Sequence, residues 1–593
     1  MTPTRWFNLG SFGLLVLGAL HFFSNRNGLP IMPTNSNGAQ LLELMASYEI
    51  NFFGLNRTLD QTIDGFIITW GTMVIAIALI NLVMSVRDPS IPPPKLMRLA
   101  NAIAWIICLI TAVFFWSYPQ MGLFAFISFA FVMSLMRDSN VKKKPVIPDS
   151  GEVPRVAVVG AGAAGMTTAF ALQKKGYKVT VLEKLDRVGG KCKTLEFGDY
   201  AIDIGAHEML AGYTDVMRIA REVDAPSHGS QDILVYDRFR HQYMDIMSAS
   251  TSTGYTNLQV AWASLRYTWM LMTRYRKFAK PGTGLSDAPQ ELLQPVGTWL
   301  RQMNLNAMEE IVLFVMKVQG YGRLDEASAA HFVKFQGFRN WVSNVLHNIG
   351  LLDYWPRVFS NGFQDLWERV AERLDDVRLD TEITSIRRVP KEDSETIGVE
   401  IKIKGTRKPE HFDQIVITCP HNLATLRGIG LDLDEEEEFV FSKVKYHNFT
   451  TTTCRVQGIP SGVVGTIPLP RLLDYTGYIK VYPESDITVF FTLSQTADPD
   501  HQEIYKNVEN TVASLPESEE ESPKVLELLH QKTWHYFPHP EVAEMAANYF
   551  DRLQALQGHR QTFYAGALLE METVGNTVAN AQHLADTQFP PLR

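Results

Sequence analysis

The stretch of sequence that most constrains the fold runs from Arg155 to Glu183. An apolar run from Arg155 to Val159 is followed at once by six glycines and alanines, between Gly160 and Gly165. The next residues have a helical composition, and a second apolar run ends at Glu183. This order predicts a strand, a tight turn and a helix whose N-terminal N–H groups bind a pyrophosphate, with the Glu183 carboxylate on a ribose. The sequence therefore predicts a Rossmann-like α/β domain that binds an adenine dinucleotide.

The chain before this site is unusually apolar. No Asp, Glu, Lys or Arg occurs between Leu99 and Met136, and Pro119 divides that run into two pieces. Gly65 to Val86 is a third uncharged run, and Phe7 to Phe23 is a shorter fourth. A helix of about 20 apolar residues is long enough to cross a bilayer. We therefore expect an all-α transmembrane bundle of four helices in residues 1–137, followed by a linker at 138–153.

The cations around these runs predict an orientation. Four spans would put both ends of the bundle on one side, which carries cations such as Arg87, Arg98 and Arg137, whereas the other side has only Arg26 and Arg57. The positive-inside rule then predicts a multi-pass membrane protein whose dinucleotide domain is cytoplasmic. The first run is also compatible with a signal peptide, but no small-x-small cleavage site follows it, which favours a retained span.

Composition argues against several kinds of partner. The net charge of -9 and the pI near 6.0 give no basic footprint for nucleic acid. The four cysteines are far apart and form no C-x-x-C pair, which argues against a disulfide framework and a zinc site. His535 and His539 have i, i+4 spacing, but Pro538 between them is incompatible with a metal-binding helix. We expect neither nucleic acid nor a metal as a partner.

Later stretches indicate which dinucleotide is bound. They are "DRVGGKCKT" from Asp186, "YAIDIGAHEML" from Tyr200, "SNGFQDLWERV" from Ser360 and "TFYAGALLEMETVGNTVANA" from Thr562. Together they resemble the flavin-containing amine oxidase superfamily. In that superfamily the Gly-Gly-Lys turn reaches the pyrophosphate and flavin, the Asp-x-Gly-Ala turn lies by the isoalloxazine ring, and the last helix starts against the flavin pyrimidine. The resemblance implies FAD and a fold of amine-oxidase type, with an inserted α+β substrate domain.

The resemblance also implies which residues contact the cofactor. They are Gly160, Ala161, Gly162, Ala163, Ala164, Gly165, Glu183, Lys184, Gly189, Gly190, Lys191, Cys192, Gly205, Ala206, His207, Ile383, Gly566, Val574, Gly575, Asn576 and Thr577. Ala567 departs from the pattern, since many relatives carry an acidic residue there for the ribityl chain. The expected FAD-binding domain comprises 154–215, 350–425 and 553–593. The expected substrate domain comprises 216–349 and 426–552.

Within the superfamily, the chain resembles the FAD-dependent polyenoic fatty acid isomerases, through "VQGYGRLDEASAAHFVKF" from Val318 and "TWHYFPHP" from Thr533. This resemblance implies that an unsaturated acyl chain gives a hydride to flavin N5 and takes it back at another carbon, moving a double bond. Two alternatives stay open. One is an oxidase or desaturase that acts on an amine or polyene and uses oxygen or a quinone, and the other is a non-catalytic lipid-binding flavoprotein.

No catalytic side chain is assigned, because the flavin itself carries out this chemistry. Tyr321, Tyr354 and Trp355 are the pocket candidates, since glycine or proline neighbours place them at turns, and His207 is a fourth. "DRFRH" supplies Arg238 and Arg240, which are either a carboxylate anchor or a solvated strand end. An apolar substrate would also explain a lipid bilayer as a partner.

Overall fold

The computed structural model describes residues 3–26, 36–52, 55–86, 95–115, 125–132, 153–230, 234–237, 242–244, 254–348, 356–390, 397–460, 463–467, 475–482, 485–494, 496, 498–517 and 521–592. The chain divides into two compact units, residues 1–142 and 143–593.

The first unit is mainly helical. Its elements are α1 (Pro3–Arg26), α2 (Ser36–Ser47), β1 (Glu49–Phe52), β2 (Leu55–Thr58), α3 (Leu59–Val86), α4 (Lys95–Phe115) and α5 (125–132). Phe7, Val74 and Phe131 are among the apolar side chains of its core. The amide of Asn81 in α3 donates to that of Asn101 in α4 over 2.8 Å. This pair satisfies two polar side chains that would otherwise face apolar neighbours.

The predicted transmembrane bundle is wrong. Across the described ranges, no helix is both long enough and apolar enough to cross a membrane. In the described part of the uncharged run from Leu99 to Met136, α4 spans Lys95–Phe115 and α5 spans 125–132, a rise of about 12 Å. The helix α3 includes Asp60 and Asp64 in its first turns. The expectation of a multi-pass membrane protein is therefore wrong, and the orientation that we predicted from the cations has no basis without such spans.

The second unit is built on a five-stranded parallel sheet with the order β11–β4–β3–β15–β21. The strands are β3 (Arg155–Val159), β4 (Lys178–Leu182), β11 (Val377–Arg378), β15 (Gln414–Ile417) and β21 (Thr562–Tyr564). Burial on both faces explains why β3 and β15 read as continuous apolar runs. The helix α6 (Ala163–Lys174) connects β3 to β4. The strand, turn and helix predicted from the sequence are confirmed.

The remaining strands form smaller sheets around this one. They are β5 (Thr194–Phe197) with β6 (Tyr200–Asp203); β7 (Ser227–Gly229) with β10 (Arg357–Phe359); β8 (Leu234–Asp237) and β9 (Gln242–Met244) with β17 (Val463–Ile467); β12 (Ile383–Pro390), β13 (Ile397–Ile403) and β14 (Glu410–Phe412); and the antiparallel order β18 (Tyr475–Val481), β19 (Ile487–Ser494), β16 (Lys445–Gln457) and β20 (Lys524–His539).

Helices cover these sheets. They are α7 (Thr214–Glu222), α8 (Asn257–Met272), α9 (Val296–Gln302), α10 (Glu309–Val318), α11 (Ala329–Phe335), α12 (Phe338–Asn348), α13 (Phe363–Ala371), α14 (Leu423–Gly428), α15 (Glu435–Ser442), α16 (His501–Ala513), α17 (Val542–Ala546), α18 (Tyr549–Ala555) and α19 (Val574–Gln588), with short 3-10 turns at Gln290–Leu292, Asn306–Met308, His559–Gln561 and Ala567–Leu569.

The antiparallel sheet of β16, β18, β19 and β20 packs one of its faces on the hairpin of β5 and β6. Ile202 and Ile204, in and just after β6, share one apolar cluster with Phe314 of α10, Phe449 of β16 and Phe491 of β19. The indole N–H of Trp534 in β20 also donates to the carbonyl of Ile204 over 3.0 Å. The end of β6 therefore lies directly beneath this sheet.

Candidate active site

Two glycine turns meet at the carboxyl end of β3. The N–H of Gly189 donates to the carbonyl of Ala161 over 2.8 Å. A Cβ added at Gly165 would lie 1.9 Å from the carbonyl oxygen of Gly160, whereas one added at Gly162 would meet only the Cα of Gly190, 4.0 Å away. Glycine is therefore required for packing at Gly165, and it leaves open space at Gly162.

The helix α6 begins at this open space. Gly162 is its N-cap, and no side chain caps the helix end. The first N–H groups of a helix carry a partial positive charge and bind anions. The structure thus has a bare helix N-terminus at the position predicted for a pyrophosphate.

Glu183 lies at the end of β4, beside the same turn. One of its carboxylate oxygens accepts from the N–H of Ala161 over 2.7 Å, and the other accepts from the N–H of Leu185 over 2.9 Å. The N–H of Thr381 donates to the carbonyl of Glu183, which brings the buried Ile383 to the same edge of the sheet. Glu183, expected at the ribose, and Ile383, also expected to contact the cofactor, thus lie at the same edge of the sheet.

The Asp-x-Gly-Ala turn packs on the second glycine turn. The N–H of Ala206 donates to the carbonyl of Lys191 over 3.2 Å, and a Cβ added at Gly205 would lie 1.8 Å from that carbonyl oxygen. Asp203 accepts from the hydroxyl of Thr194 over 2.6 Å and from the N–H of Phe363 over 2.9 Å. Burial raises the pKa of Asp203 to about 7, against these two hydrogen bonds, which lower it.

Lys191 connects this turn to the C-terminal segment. Its ammonium lies 2.8 Å from Glu572 Oε1, and the other oxygen of Glu572 accepts from the N–H of Phe537 over 3.1 Å. The helix α19 starts two residues later, where the hydroxyl of Thr573 accepts from the N–H of Asn576. The turns expected around the flavin and the start of α19 therefore belong to one connected group.

Of the other residues implied by the resemblance, Cys192 is buried and Lys184 is exposed. The N–H of Gly566 donates to Asn580 of α19 over 3.3 Å. Contact of any of these residues with FAD stays a prediction. Tyr354, Trp355, Arg238 and Arg240 lie outside the described residues.

Five aromatic side chains form a continuous surface above these turns, which we call the aromatic wall. Its members are Tyr321, Phe449, Tyr478, Phe491 and Tyr536. The ring centroids are 5.9 Å apart for Tyr321 and Tyr536, 5.2 Å for Tyr536 and Phe449, 5.6 Å for Phe449 and Phe491, and 5.2 Å for Phe491 and Tyr478. Tyr321 was selected from the sequence. The other four come from the antiparallel sheet and were missed, although Tyr536 lies within the stretch "TWHYFPHP".

The hydroxyl groups at one end of the aromatic wall are tied to the backbone. Tyr321 and Tyr536 both donate to the carbonyl of Glu572, over 2.8 and 3.0 Å. Burial raises the pKa of both phenols well above 10. These tyrosines therefore stay neutral, and their rings present an apolar surface.

At the other end the wall meets a buried polar network. The ring Nε2 of His207 lies 3.0 Å from the hydroxyl of Tyr478, which donates to Glu208 over 3.3 Å, and Lys480 lies 2.7 Å from the same carboxylate oxygen. Burial lowers the pKa of His207, so the imidazole is neutral. Burial opposes charge on Glu208, but Lys480 outweighs it and brings that pKa down to about 2.

One backbone position next to the aromatic wall is unusual. Phe537 has a φ of 53°, in the left-handed region that bulky residues rarely adopt. It lies in a bulge, where Lys445 and His447 of β16 pair with His539 and Tyr536 of β20. His535 and His539 are on this strand, not on a helix. Within the described ranges, no three His, Cys, Asp or Glu side chains are grouped to hold a metal ion.

Comparison with known proteins agrees with this geometry. The family model for flavin containing amine oxidoreductases matches residues 163–567. The FAD-dependent oxidoreductase dpasF of Apiospora sacchari is 23% identical over 433 residues, which cover 70% of this chain and 88% of that protein. Beta-cyclopiazonate dehydrogenase of Aspergillus flavus is 22% identical over 474 residues, which cover 75% of this chain and 93% of that protein.

Solved structures share the fold. The CLA-producing fatty acid isomerase from P. acnes superposes with a TM-score of 0.63 at 21% identity, covering 74% of this chain and 99% of that one. Putrescine oxidase bound to putrescine superposes with a TM-score of 0.55 at 16% identity, covering 73% and 99%.

Proposed function

Because this chain belongs to the flavin-containing amine oxidoreductase family and is an FAD-dependent enzyme, we propose that it moves double bonds in polyunsaturated fatty acyl chains. The observation that carries the proposal is the aromatic wall, an apolar surface joined at both ends to the turns expected around the flavin. The fatty acid isomerase from P. acnes, with its higher TM-score than putrescine oxidase, supports an acyl substrate.

The residues at the turns fit FAD. The uncapped start of α6 and the open space at Gly162 suit a pyrophosphate. The Glu183 carboxylate lies where it could accept hydrogen bonds from ribose hydroxyls. The start of α19 presents the positive end of a helix dipole, which favours negative charge on a flavin pyrimidine. Bound there, FAD supplies a two-electron acceptor that can take a hydride from an activated carbon and give it back.

The protein contributes position and the exclusion of water. An acyl chain on the aromatic wall would meet ring faces, since the hydroxyls of Tyr321 and Tyr536 are occupied by a carbonyl. Holding the reacting carbon in place is a major part of catalysis for such a reaction. The neutral imidazole of His207, next to Tyr478, would lie at the polar end of the aromatic wall.

The test is anaerobic turnover. Purified full-length protein is incubated with a panel of polyunsaturated fatty acids without oxygen or any other acceptor, and the ultraviolet absorbance of conjugated dienes is followed. An isomerase turns over many times under these conditions. Strict dependence on an added acceptor would refute the proposal and favour an oxidase or dehydrogenase.

Neighbouring phenylalanines in β19 provide a matched pair of variants. Phe491 belongs to the aromatic wall, whereas Phe490 is buried on the other side of the strand with Val508 and Val512. Phe491→Leu should lower kcat/KM about tenfold, a loss of about 1.4 kcal/mol, while the flavin spectrum stays unchanged. Phe490→Leu should leave kcat/KM within twofold. Equal effects of the two changes would contradict a substrate surface at the wall.

The second candidate is an FAD-dependent oxidase or dehydrogenase acting on an amine or polyene. It is favoured by relatives such as beta-cyclopiazonate dehydrogenase, of which the match covers 93%. The acceptor experiment separates it from the isomerase. Membership of an enzyme family sets aside the non-catalytic flavoprotein.

A further inference from the structure

The helix α8 carries a row of large apolar side chains on its outer face. Leu258, Trp262, Leu265 and Trp269 are 82%, 70%, 62% and 54% exposed. Their spacing of four, three and four residues aligns them along one face of the helix. Single exposed apolar residues are ordinary, but a contiguous row with two tryptophans indicates a contact surface.

The opposite face of α8 fixes the helix in the second unit. Ala263, Tyr267 and Leu271 are buried in the main apolar core, and Val260 is also fully buried. The hydroxyl of Tyr267 donates to the carbonyl of Gln336 over 3.0 Å. The helix begins with a complete capping box, formed by Thr256 and Gln259. The outward row is therefore a second, separate face of a well-anchored helix.

The stretch of sequence that contains this row carries cations and no acidic residue. The sequence from Ile246 to Ser286 has no Asp or Glu, although the whole chain has a net charge of -9. Its cations are Arg266, Arg274, Arg276, Lys277 and Lys280. Arg274 is paired with Glu291 at 2.7 Å, and Arg266 donates to the carbonyl of Met303. The exposed cations Arg276, Lys277 and Lys280 follow closely after the end of the helix.

We infer that α8 lies along the surface of an anionic lipid bilayer. Trp262, Trp269 and the two leucines enter the head-group region of one leaflet, and the cations from Arg276 to Lys280 contact lipid phosphates. Tryptophan favours this interface, and a helix with such a face lies in its plane, about 5–10 Å deep. The contact uses one helix lying flat on one leaflet and involves no spanning segment.

Charge favours this partner over a second copy of the chain. A symmetric contact between two α8 helices offers these cations no acidic partner from the same stretch of the other copy, because Ile246 to Ser286 contains no Asp or Glu. An anionic head-group layer neutralises them instead. The inference is independent of the reaction, so it stands or fails separately from the proposed isomerase activity.

The test is co-sedimentation of the full-length protein with vesicles. One set contains phosphatidylcholine alone, and the other contains phosphatidylcholine with phosphatidylserine. We expect stronger partitioning to the second set, reduced at least tenfold by the double variant Trp262→Ser/Leu265→Ser. The matched control is Leu526→Ser/Leu528→Ser, which removes exposed leucines from β20 and should leave partitioning unchanged.

Two further measurements complete the test. Arg276→Ser/Lys277→Ser should remove most of the preference for phosphatidylserine, and the flavin spectrum of each variant checks the fold. If the Trp262→Ser/Leu265→Ser variant partitioned to the vesicles as strongly as the unchanged protein, the inference would be overturned. It would also be overturned if this variant only reduced self-association in sedimentation velocity, because the row would then bind a second copy.

Discussion

Replacing Lys334 by methionine should destabilise the second unit strongly. Lys334 lies 3.3 Å from Glu570, and both side chains are fully buried. The ammonium also donates to the carbonyl of Lys280 and to the hydroxyl of Thr283, and the Glu570 carboxylate accepts from the N–H of Gly282 at both oxygens. The pair thus joins the loop at residues 280–283 to the segment that leads into α19.

The expected cost follows from what the change leaves behind. Lys334→Met leaves the Glu570 carboxylate buried with only neutral donors, the N–H of Gly282 and the amide of Asn576. Removing one partner of a buried pair costs about 3–5 kcal/mol. Burial lowers the pKa of Lys334 against the pull of Glu570, so in Glu570→Gln the lysine can lose its proton, and this change should cost less than Lys334→Met.

The two changes together separate this explanation from simple loss of packing. In Lys334→Met/Glu570→Gln neither charge remains, so the double variant should be more stable than the sum of the single effects by about 2 kcal/mol. The measurement is urea unfolding followed by tryptophan fluorescence and by release of flavin. Lys280→Met, on the exposed part of the same loop, is the control. Additive effects, or a change below about 1 kcal/mol in Lys334→Met, would refute the reasoning.

Two further predictions concern the FAD site and pH. Gly165→Ala should abolish flavin binding, because its Cβ would lie 1.9 Å from the carbonyl oxygen of Gly160, whereas Gly428→Ala, with no atom within 4 Å, should purify yellow. Burial lowers the pKa of His421 to about 4, so the unfolded chain binds its proton more readily, and stability should fall by about 3 kcal/mol as the pH drops from 6.5 to 4. His421→Gln should flatten that slope in thermal unfolding, and exposed His411→Gln should not; an unchanged slope would contradict the assignment.

Local patterns predicted the part of the fold that is local. The strand from Arg155, the glycine turn and the helix to Lys174 occupy one short stretch, so composition and spacing were enough. Glu183 was placed by the same logic, at the end of the neighbouring strand. Tyr321 was selected through its glycine neighbours, and the structure puts it in the aromatic wall.

What the sequence did not reveal depends on long-range pairing. Phe449, Phe491 and Tyr536 are brought together by the register of three antiparallel strands, and no short motif marks them as neighbours. The error in the first unit has another cause. Counting apolar residues between Leu99 and Met136 gives no information on the bounds of a helix, and the structure gives α4 as Lys95–Phe115.

The left-handed turn at Phe537 decides the shape of the wall. In a regular strand, successive side chains point to opposite faces, so a single partner cannot touch both. Here the ring of Tyr321 lies 5.9 Å from Tyr536 and 5.1 Å from Phe537. A variant that keeps every aromatic residue but lets this strand run straight would turn one of those two rings away. The outline of the aromatic wall is therefore set by a single backbone torsion as much as by the list of side chains.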